Sequence, residues 1–295
     1  MDFLTPTTWA DALAAKAEQP DAVPVSGGTD VMVEINFDRR RPPALLDLTR
    51  VPDLREWTHD DDGRVRLGAG VTYARIITEL GRTLPGLAMA ARTVGSPQIR
   101  HRGTVGGNLG AASPAGDSHP ALLAADAVVE VASVRGTRQV PVAEFYTGVK
   151  RNALAPDELI AAVLLAPATG PQQFCKIGTR NAMVISVSAF GLALHPGRRA
   201  VGTGIGSAAP TPRPADEAAA FLAGELDAAG LWESRGPLPE GLAAEFGHRV
   251  RAAAAPIDDV RGTAAYRLHT LSVMARRAAT WAWDEHRGAD ARRAA

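Results

Sequence analysis

The segment from residue 102 to residue 110 reads Arg102-Gly103-Thr104-Val105-Gly106-Gly107-Asn108-Leu109-Gly110, within the most glycine-rich part of the 295-residue sequence. Adjacent glycines let successive backbone N–H groups turn toward one point, because no Cβ stands in the way. Such a nest suits phosphate oxygens, and the hydroxyl of Thr104 adds a donor. Taken alone, however, the segment is explained better by a glycine turn without a ligand.

A second glycine loop of the same character lies much earlier in the chain. Val25-Ser26-Gly27-Gly28-Thr29-Asp30 directly follows a short apolar run that predicts a strand, and Ser26 and Thr29 supply further hydroxyls. Two nests that meet from separate parts of a chain suit a pyrophosphate. Neither loop continues as the Gly-Lys-Ser/Thr of a Walker loop, and neither matches the Gly-x-Gly-x-x-Gly fingerprint of a Rossmann domain.

Signals for a catalytic side chain are weak. Asp117, shortly after the second loop, is a candidate acceptor for ribose hydroxyls, but from the residues alone a plain turn or cap aspartate is the favoured interpretation. Ser113, Asp117 and His119 have the residue types of a hydrolytic triad, but their closeness in sequence says little about geometry. We therefore predict no acid–base catalyst on this chain.

Composition narrows the function classes further. Thirty-two basic residues balance thirty-two acidic ones, so attraction to nucleic acid or to an anionic membrane is not indicated. No apolar run approaches the roughly 18 residues of a membrane span, and the N-terminus lacks the layout of a secretory signal. We expect a cytoplasmic protein. The single cysteine, Cys175, rules out an internal disulfide and any four-cysteine iron–sulfur or zinc site built by this chain alone.

Turn residues and hydrophobic periodicity predict an alternation of short helices and strands in the first part of the chain. The clearest strand is Leu159–Leu165, a continuous apolar run. Val31, Val33 and Ile35 alternate, but Met32 interrupts the pattern, so helix and strand both remain possible there. Proline and glycine at residues 167–171 interrupt the chain, and we place a domain boundary there, between residues 1–170 and 171–295.

The second part predicts three strands followed by helices. The strands lie near residues 174–178, 184–194 and 200–207, and the last helix spans residues 263–286. The spacing of that helix places Trp281 on the same face as Leu271 and Ala275. A short Arg/Ala-rich end follows Gly288.

Both glycine loops resemble a known family. Ser96-Pro97-Gln98-Ile99-Arg100-His101-Arg102-Gly103-Thr104-Val105-Gly106-Gly107-Asn108-Leu109, its continuation Ala112-Ser113-Pro114-Ala115-Gly116-Asp117, and the first loop are similar to the FAD-binding loops of the molybdenum hydroxylases. In bacterial xanthine, carbon monoxide and nicotinate dehydrogenases these loops belong to a separate medium subunit. The resemblance covers essentially the whole chain, and residues 176–186 are most like the xanthine dehydrogenase type.

The resemblance implies an α+β fold. It would comprise a two-subdomain FAD-binding domain of the vanillyl-alcohol-oxidase (PCMH) type, divided near residue 60, with FAD held between the subdomains. A C-terminal α+β domain, a three-stranded sheet with helices, would follow near residue 171. This agrees with the order of strands and helices predicted after Pro171.

The resemblance also implies which residues contact FAD. Residues 26–30 would bind the pyrophosphate from one side, residues 104–108 would approach it from the other, and Asp117 would hold the ribose. The implied cofactor-binding residues are Val25, Ser26, Gly27, Gly28, Thr29, Asp30, Thr104, Gly106, Gly107, Asn108, Asp117, Leu165 and Lys176.

Two of these positions, and one residue outside the list, would lie near the ends of the cofactor. Leu165, or its neighbour Leu164, would lie near the adenine, and Lys176 matches a family lysine close to the flavin. Many relatives carry an aromatic residue beside the isoalloxazine where this chain has Val184 or Ile185. The sequence leaves open how the outer flavin face is covered.

The implied function is that of an FAD-binding electron-transfer subunit. A molybdopterin-binding large subunit would hydroxylate a purine-like substrate, as in xanthine dehydrogenase, and a small subunit with [2Fe–2S] clusters would relay the electrons. FAD on this chain would pass them to NAD⁺ or another acceptor, and the protein would bind and orient the flavin. The substrate could instead be nicotinate, an aldehyde or carbon monoxide. A self-contained FAD oxidoreductase, or a scaffold that has lost FAD, are the alternatives from other classes; the intact glycine pairs argue against the scaffold.

Overall fold

The structure is a computed structural model and describes residues 1–288, so the Arg/Ala-rich end lies outside the described residues. The strands are β1 (Asp2–Leu4), β2 (Val23–Val25), β3 (Ala44–Asp47), β4 (Trp57–His59), β5 (Val65–Gly68), β6 (Val128–Ser133), β7 (Gly136–Pro141), β8 (Tyr146–Gly148), β9 (Arg151–Asn152), β10 (Leu159–Leu165), β11 (Gln172–Ile177), β12 (Ser188–His195) and β13 (Ala200–Gly206). The helices are α1 (Trp9–Glu18), α2 (Val31–Asn36), α3 (Tyr73–Glu79), α4 (Pro85–Thr93), α5 (Pro97–Arg102), α6 (Val105–Ala111), α7 (Ser118–Ala124), α8 (Val142–Phe145), α9 (Asp216–Ala228), α10 (Leu231–Ser234), α11 (Glu240–Ala252) and α12 (Ala264–His286).

The first sheet is small and parallel, in the order β1-β3-β2. Helix α1 connects β1 to the rest of this unit and begins at Thr8, whose hydroxyl accepts from the backbone N–H of Asp11. Its inward residue Ala12 is fully buried. Strand β2 ends at Val25, so the first glycine loop emerges from the carboxyl end of a parallel strand, which is where ligands of open parallel sheets bind.

The second sheet is antiparallel, in the order β4-β5-β10-β6-β7. Strand β10 lies at its centre, and all seven of its residues are buried, as its unbroken apolar sequence predicts. The turn between β4 and β5 is closed by Asp60, whose carboxylate accepts from the backbone N–H of Arg64 at 2.8 Å. Helices α3 to α7 lie in the connection between β5 and β6, and they carry the second glycine loop.

The C-terminal part has the predicted order of three strands and then helices. Its sheet is antiparallel, in the order β11-β12-β13, and its apolar side chains form a core separate from that of the first two sheets. Trp281, which the spacing places on the face of Leu271 and Ala275, is 44% exposed, whereas Trp283 is only 1% exposed. Trp283 packs on Trp232 of α10, a partner that the spacing within α12 does not reveal.

Helix α7 joins the two parts of the molecule through glycines. A Cβ added at Gly202 would lie 1.9 Å from the carbonyl oxygen of Ala124, and one added at Gly204 would lie 2.2 Å from that of Pro120. The backbone of α7 therefore rests directly on the backbone of β13, and any side chain there would push the helix away. The proposed boundary at residue 170 stays a prediction.

Residues 1–288 contain neither a membrane-spanning helix nor a metal-binding cluster of side chains. No helix there is long and apolar enough to cross a membrane. In the same residues, no cluster of three or more His, Cys, Asp or Glu side chains is arranged to hold a metal ion.

Candidate FAD-binding site

A cleft of about 840 Å³ lies where the two glycine loops meet. Gly27 touches the backbone of the second loop so closely that a Cβ would lie 2.0 Å from the carbonyl oxygen of Arg102. Across the same contact the hydroxyl of Thr104 donates to that of Ser26 at 3.3 Å. Two segments distant in sequence thus form one wall, as the nest prediction requires.

The first loop presents unpaired backbone donors to the cleft. Gly28 has a φ of +73°, a conformation that favours glycine, and Val25, Ser26, Gly27, Gly28, Thr29 and Asp30 all line the cleft. No acceptor among residues 1–288 takes the N–H groups of Gly27, Gly28, Thr29 or Asp30. These donors are the part of the site best suited to phosphate oxygens, because an anion bound there would satisfy them together.

The glycine N–H groups of the second loop, unlike those of the first, are hydrogen-bonded within the protein. Thr104 caps helix α6, and its hydroxyl accepts from the N–H of Gly107 at 3.0 Å, while the N–H of Gly106 donates to the carbonyl of Ala69 at 3.1 Å. Those N–H groups are therefore occupied within the protein. A Cβ at Gly106 would lie 2.5 Å from the Cβ of Ala69, so the missing side chain lets this loop pack on Ala69. What the loop offers a ligand is the side chain of Asn108, which lines the cleft.

Positive charge predominates around the cleft. In the described chain five basic side chains and three acidic ones line it: Lys16, Arg39, Arg40, Lys150 and Arg151 against Asp30, Glu34 and Glu158. The Lys150 ammonium donates to Glu34 at 2.5 Å, and this hydrogen bond lowers the pKa of Glu34. Burial lowers the pKa of Lys16, whose ammonium donates to the carbonyls of Pro20 and Ala22. An excess of basic groups favours an anionic ligand.

Asp117 and Lys176 form a buried ion pair. The Lys176 ammonium donates to Asp117 Oδ2 at 2.6 Å, and their side chains are only 8% and 9% exposed. Asp117 Oδ1 is buried without a hydrogen-bond partner among the residues described. Burial raises the pKa of Asp117, and the charge of Lys176 opposes that rise. Gly116, the residue before Asp117, lines the cleft, whereas neither Asp117 nor Lys176 does.

Leu165 is not brought into the cleft. It is 1% exposed and Leu164 is 3% exposed, both within the apolar interior, whereas Leu159 and Ile160 at the other end of β10 line the cleft. A strand buried on both faces shows no alternation of polar and apolar residues. The sequence therefore does not indicate which end of β10 faces the cleft.

The structure separates the two residues proposed beside the flavin. Val184 is packed on Gly178, where an added Cβ would lie 2.3 Å from Val184 Cγ1. Ile185 lines the cleft and is 60% exposed. Ser186 fixes this stretch through hydrogen bonds to the carbonyl of Ala115 and to the hydroxyl of Ser207. The available cover on this side of the cleft is therefore aliphatic.

Sequence reasoning missed several lining residues. Lys16, Tyr73 and Lys150 line the cleft from α1, from α3 and from the turn between β8 and β9. None of them belongs to a glycine loop, and an isolated lysine or tyrosine in a short amphipathic helix is indistinguishable from a surface or core residue.

With this geometry in place, comparison with known proteins gives a decisive match. Residues 1–167 match the family described as FAD binding domain in molybdopterin dehydrogenase. The chain belongs to this family. The predicted membership of the molybdenum hydroxylase FAD subunits, an oxidoreductase family with FAD as cofactor, is thereby confirmed.

Two relatives and one solved structure place the chain within this molybdopterin dehydrogenase family. It is 35% identical over 202 residues to the nicotinate dehydrogenase FAD-subunit of Eubacterium barkeri, covering 65% of this chain and 68% of the relative. It is 34% identical over 194 residues to a putative xanthine dehydrogenase FAD-binding subunit of Escherichia coli (strain K12), covering 64% and 65%. The matched segments thus span about two thirds of these relatives.

The structural similarity extends over nearly the whole chain. A chain of the Cu,Mo-CO dehydrogenase in its cyanide-inactivated form superposes with a TM-score of 0.87 at 27% identity, over 96% of this chain and 97% of that one. The predicted α+β fold of the FAD-binding type is confirmed.

Proposed function

We propose that this chain binds FAD in the cleft between the two glycine loops and acts as the electron-transfer subunit of a cytoplasmic molybdopterin/[2Fe–2S]/FAD hydroxylase. The observation that carries the proposal is the group of unpaired N–H donors at residues 27–30, placed against the second loop in a cleft with excess positive charge. A dinucleotide pyrophosphate has the oxygens and the charge that such a site lacks.

The residues fit FAD in three respects. Residues 27–30 would donate to the pyrophosphate from one side, and Asn108 of the second loop would face it from the other. The orphaned Asp117 Oδ1 would accept from a cofactor hydroxyl, because a buried acceptor without a donor costs about 1–3 kcal/mol. Lys176 would keep that carboxylate ionised and place a positive charge near the flavin. Bound FAD would supply the redox chemistry, and the protein would bind, orient and shield it.

The proposed partner subunits carry the redox centres that this chain, with a single cysteine, lacks the ligands to bind. Cys175 is the single cysteine, so [2Fe–2S] clusters would be carried by a small subunit and molybdopterin by a large one. We propose a purine-like substrate such as xanthine, supported by the resemblance of residues 176–186 and by the xanthine dehydrogenase relative. NAD⁺ is the proposed electron acceptor. The nicotinate dehydrogenase relative favours nicotinate as the second candidate substrate.

A visible spectrum of the purified chain tests the proposal. The protein is incubated with FAD, desalted, and then mixed anaerobically with NADH or with xanthine. Retained flavin that NADH reduces and xanthine leaves oxidised is the expected result. Direct reduction by xanthine would show a self-contained oxidoreductase instead. Absence of retained flavin, both in the isolated chain and in the complex with its subunits, would refute FAD binding.

The reconstituted complex then separates the candidate substrates. Xanthine and nicotinate are added in parallel, and flavin bleaching is followed in each case. Bleaching by xanthine with none by nicotinate supports the purine assignment, and the reverse result replaces it. Reoxidation of the bleached flavin by NAD⁺ supports the proposed acceptor, while reoxidation by oxygen alone contradicts it.

A further inference from the structure

A buried chain of hydrogen bonds ends on Asn108 in the cleft wall. The Tyr73 hydroxyl donates to Ser118 Oγ at 3.4 Å, and Ser118 Oγ donates to Asn108 Oδ1 at 2.6 Å. Ser118 is fully buried and Tyr73 is only 2% exposed, whereas Asn108 is partly exposed and lines the cleft. Ser118 thus links two residues of the cleft lining, the buried Tyr73 and the partly exposed Asn108, from behind the wall.

The direction of these bonds determines which end of the Asn108 amide faces the cleft. A hydroxyl has one proton, so Ser118, which accepts from Tyr73, has its proton free to donate to the Asn108 carbonyl oxygen. That oxygen also lies close to Gly116, where a Cβ would stand 2.9 Å away. No acceptor among the described residues takes the Asn108 Nδ2 protons. The amide is thus held with its oxygen inward and its donor end toward the cleft.

We propose that Ser118, supported by Tyr73, is a positioning residue that orients the Asn108 amide so that Nδ2 donates to an anionic oxygen of the FAD pyrophosphate. The inference rests on the proposed FAD site. Without Ser118 the amide is free to rotate, and its reversed state presents an oxygen to the phosphate. Restricting the amide to its donating state removes that repulsive alternative, and hydrogen bonds to charged groups are stronger than those between neutral groups.

A double-mutant cycle on FAD affinity tests this role. Kd is measured by flavin fluorescence for the wild type, Ser118→Ala, Asn108→Ala and the double variant, and thermal unfolding of each apo-protein is recorded alongside. We expect Ser118→Ala to raise Kd about three- to tenfold, the value of one hydrogen bond. In the Asn108→Ala background the same substitution should leave Kd unchanged, because no amide remains to be oriented.

Tyr73→Phe is the second variant, and it removes only the hydroxyl at the inner end of the chain. It should raise Kd by a smaller factor and should likewise have no effect once Asn108 is alanine. If either substitution weakens FAD binding equally in both backgrounds, its role is merely structural and the proposal is overturned. If the wild type itself fails to bind FAD, the proposed function fails, which is a distinct result.

Discussion

Replacing Gly27 with alanine tests whether contact between the two glycine loops shapes the cofactor site. The new Cβ would stand 2.0 Å from the Arg102 carbonyl oxygen, and ordinary van der Waals contact begins at 3.4 Å. The loops would have to separate by about 1.4 Å. The new Cβ is fixed to the backbone of the first loop and meets a backbone carbonyl of the second, so no flexible side chain can yield. The hydrogen bond between Thr104 and Ser26, already 3.3 Å long, would break.

Two terms set the size of the effect on binding. If FAD draws the loops back together, it must overcome an overpacking strain of about 1–3 kcal/mol. If the loops stay apart, one hydrogen bond to the charged phosphate is lost, which costs about 1.5–3 kcal/mol. The smaller cost determines the outcome, so we expect a loss of about 2 kcal/mol, or roughly a thirtyfold increase in Kd.

Fluorescence titration with FAD measures this change, and urea unfolding of the apo-protein measures the accompanying loss of stability. Gly224→Ala is the matched control, because a Cβ at Gly224, within helix α9, would meet nothing within 4 Å. It should leave the affinity for FAD unchanged and raise stability by about 0.5–1 kcal/mol. A Gly27→Ala protein that binds FAD within about threefold of the wild type would refute the reasoning.

Three further predictions concern buried polar groups. Asp117→Asn removes the counter-ion of the buried Lys176 ammonium and should reduce the free energy of unfolding by about 3 kcal/mol, measured in urea. Burial lowers the pKa of His119 from 6.5 to about 3. Between these two pH values only the unfolded chain is protonated at this residue, so the free energy of unfolding decreases as the pH falls. Going from pH 7.5 to pH 5 should cost about 2 kcal/mol from this group, a loss that His119→Gln should not show. Arg267→Met removes a guanidinium that donates to two buried backbone carbonyls, and it should lower stability by about 3 kcal/mol in thermal or urea unfolding.

Each of these predictions has a control. Asp126→Asn breaks an ion pair in which both side chains are about 60% exposed, and it should cost less than about 1 kcal/mol. Arg276→Met changes an exposed arginine on the same helix as Arg267 and should stay within about 0.5 kcal/mol of the wild type. Equal losses in variant and control would contradict the first and third predictions. A His119→Gln protein that loses as much stability as the wild type at pH 5 would contradict the second.

The secondary structure was easiest to predict where every residue of an element is buried and apolar. Strand β10 was predicted to the residue because all of its residues are buried and apolar. The segment Val31–Asn36 stayed ambiguous because α2 has no buried residue, so no periodicity marks its inner face. It is a helix because the Asp30 carbonyl accepts from the N–H groups of Val33 and Glu34.

The candidate site was predictable in outline and not in its hydrogen bonding. Glycine pairs indicate where the backbone can approach a ligand, but they do not say whether their N–H groups are free. Gly107 donates to Thr104 and is occupied, whereas Gly28 is unpaired, and only the folded arrangement distinguishes them. The pairing of Lys176 with Asp117 spans 59 residues, and such a contact is set by packing rather than by any local pattern.

The contact of helix α7 with Gly202 and Gly204 of β13 determines how late in synthesis the helix can pack in place. Ribosomes release a chain from its N-terminus, so both glycine loops and α7 emerge well before the strand on which α7 lies. Until β12 and β13 have been added, the carbonyl of Pro120 lacks its contacts with Gly191 and Gly204 and that of Ala124 lacks its contact with Gly202, and Asp117 has no Lys176 until β11 is in place. The nascent chain can thus display every residue of the two loops and still lack a finished cofactor wall. We therefore expect the flavin to bind only after β11, β12 and β13 have been added.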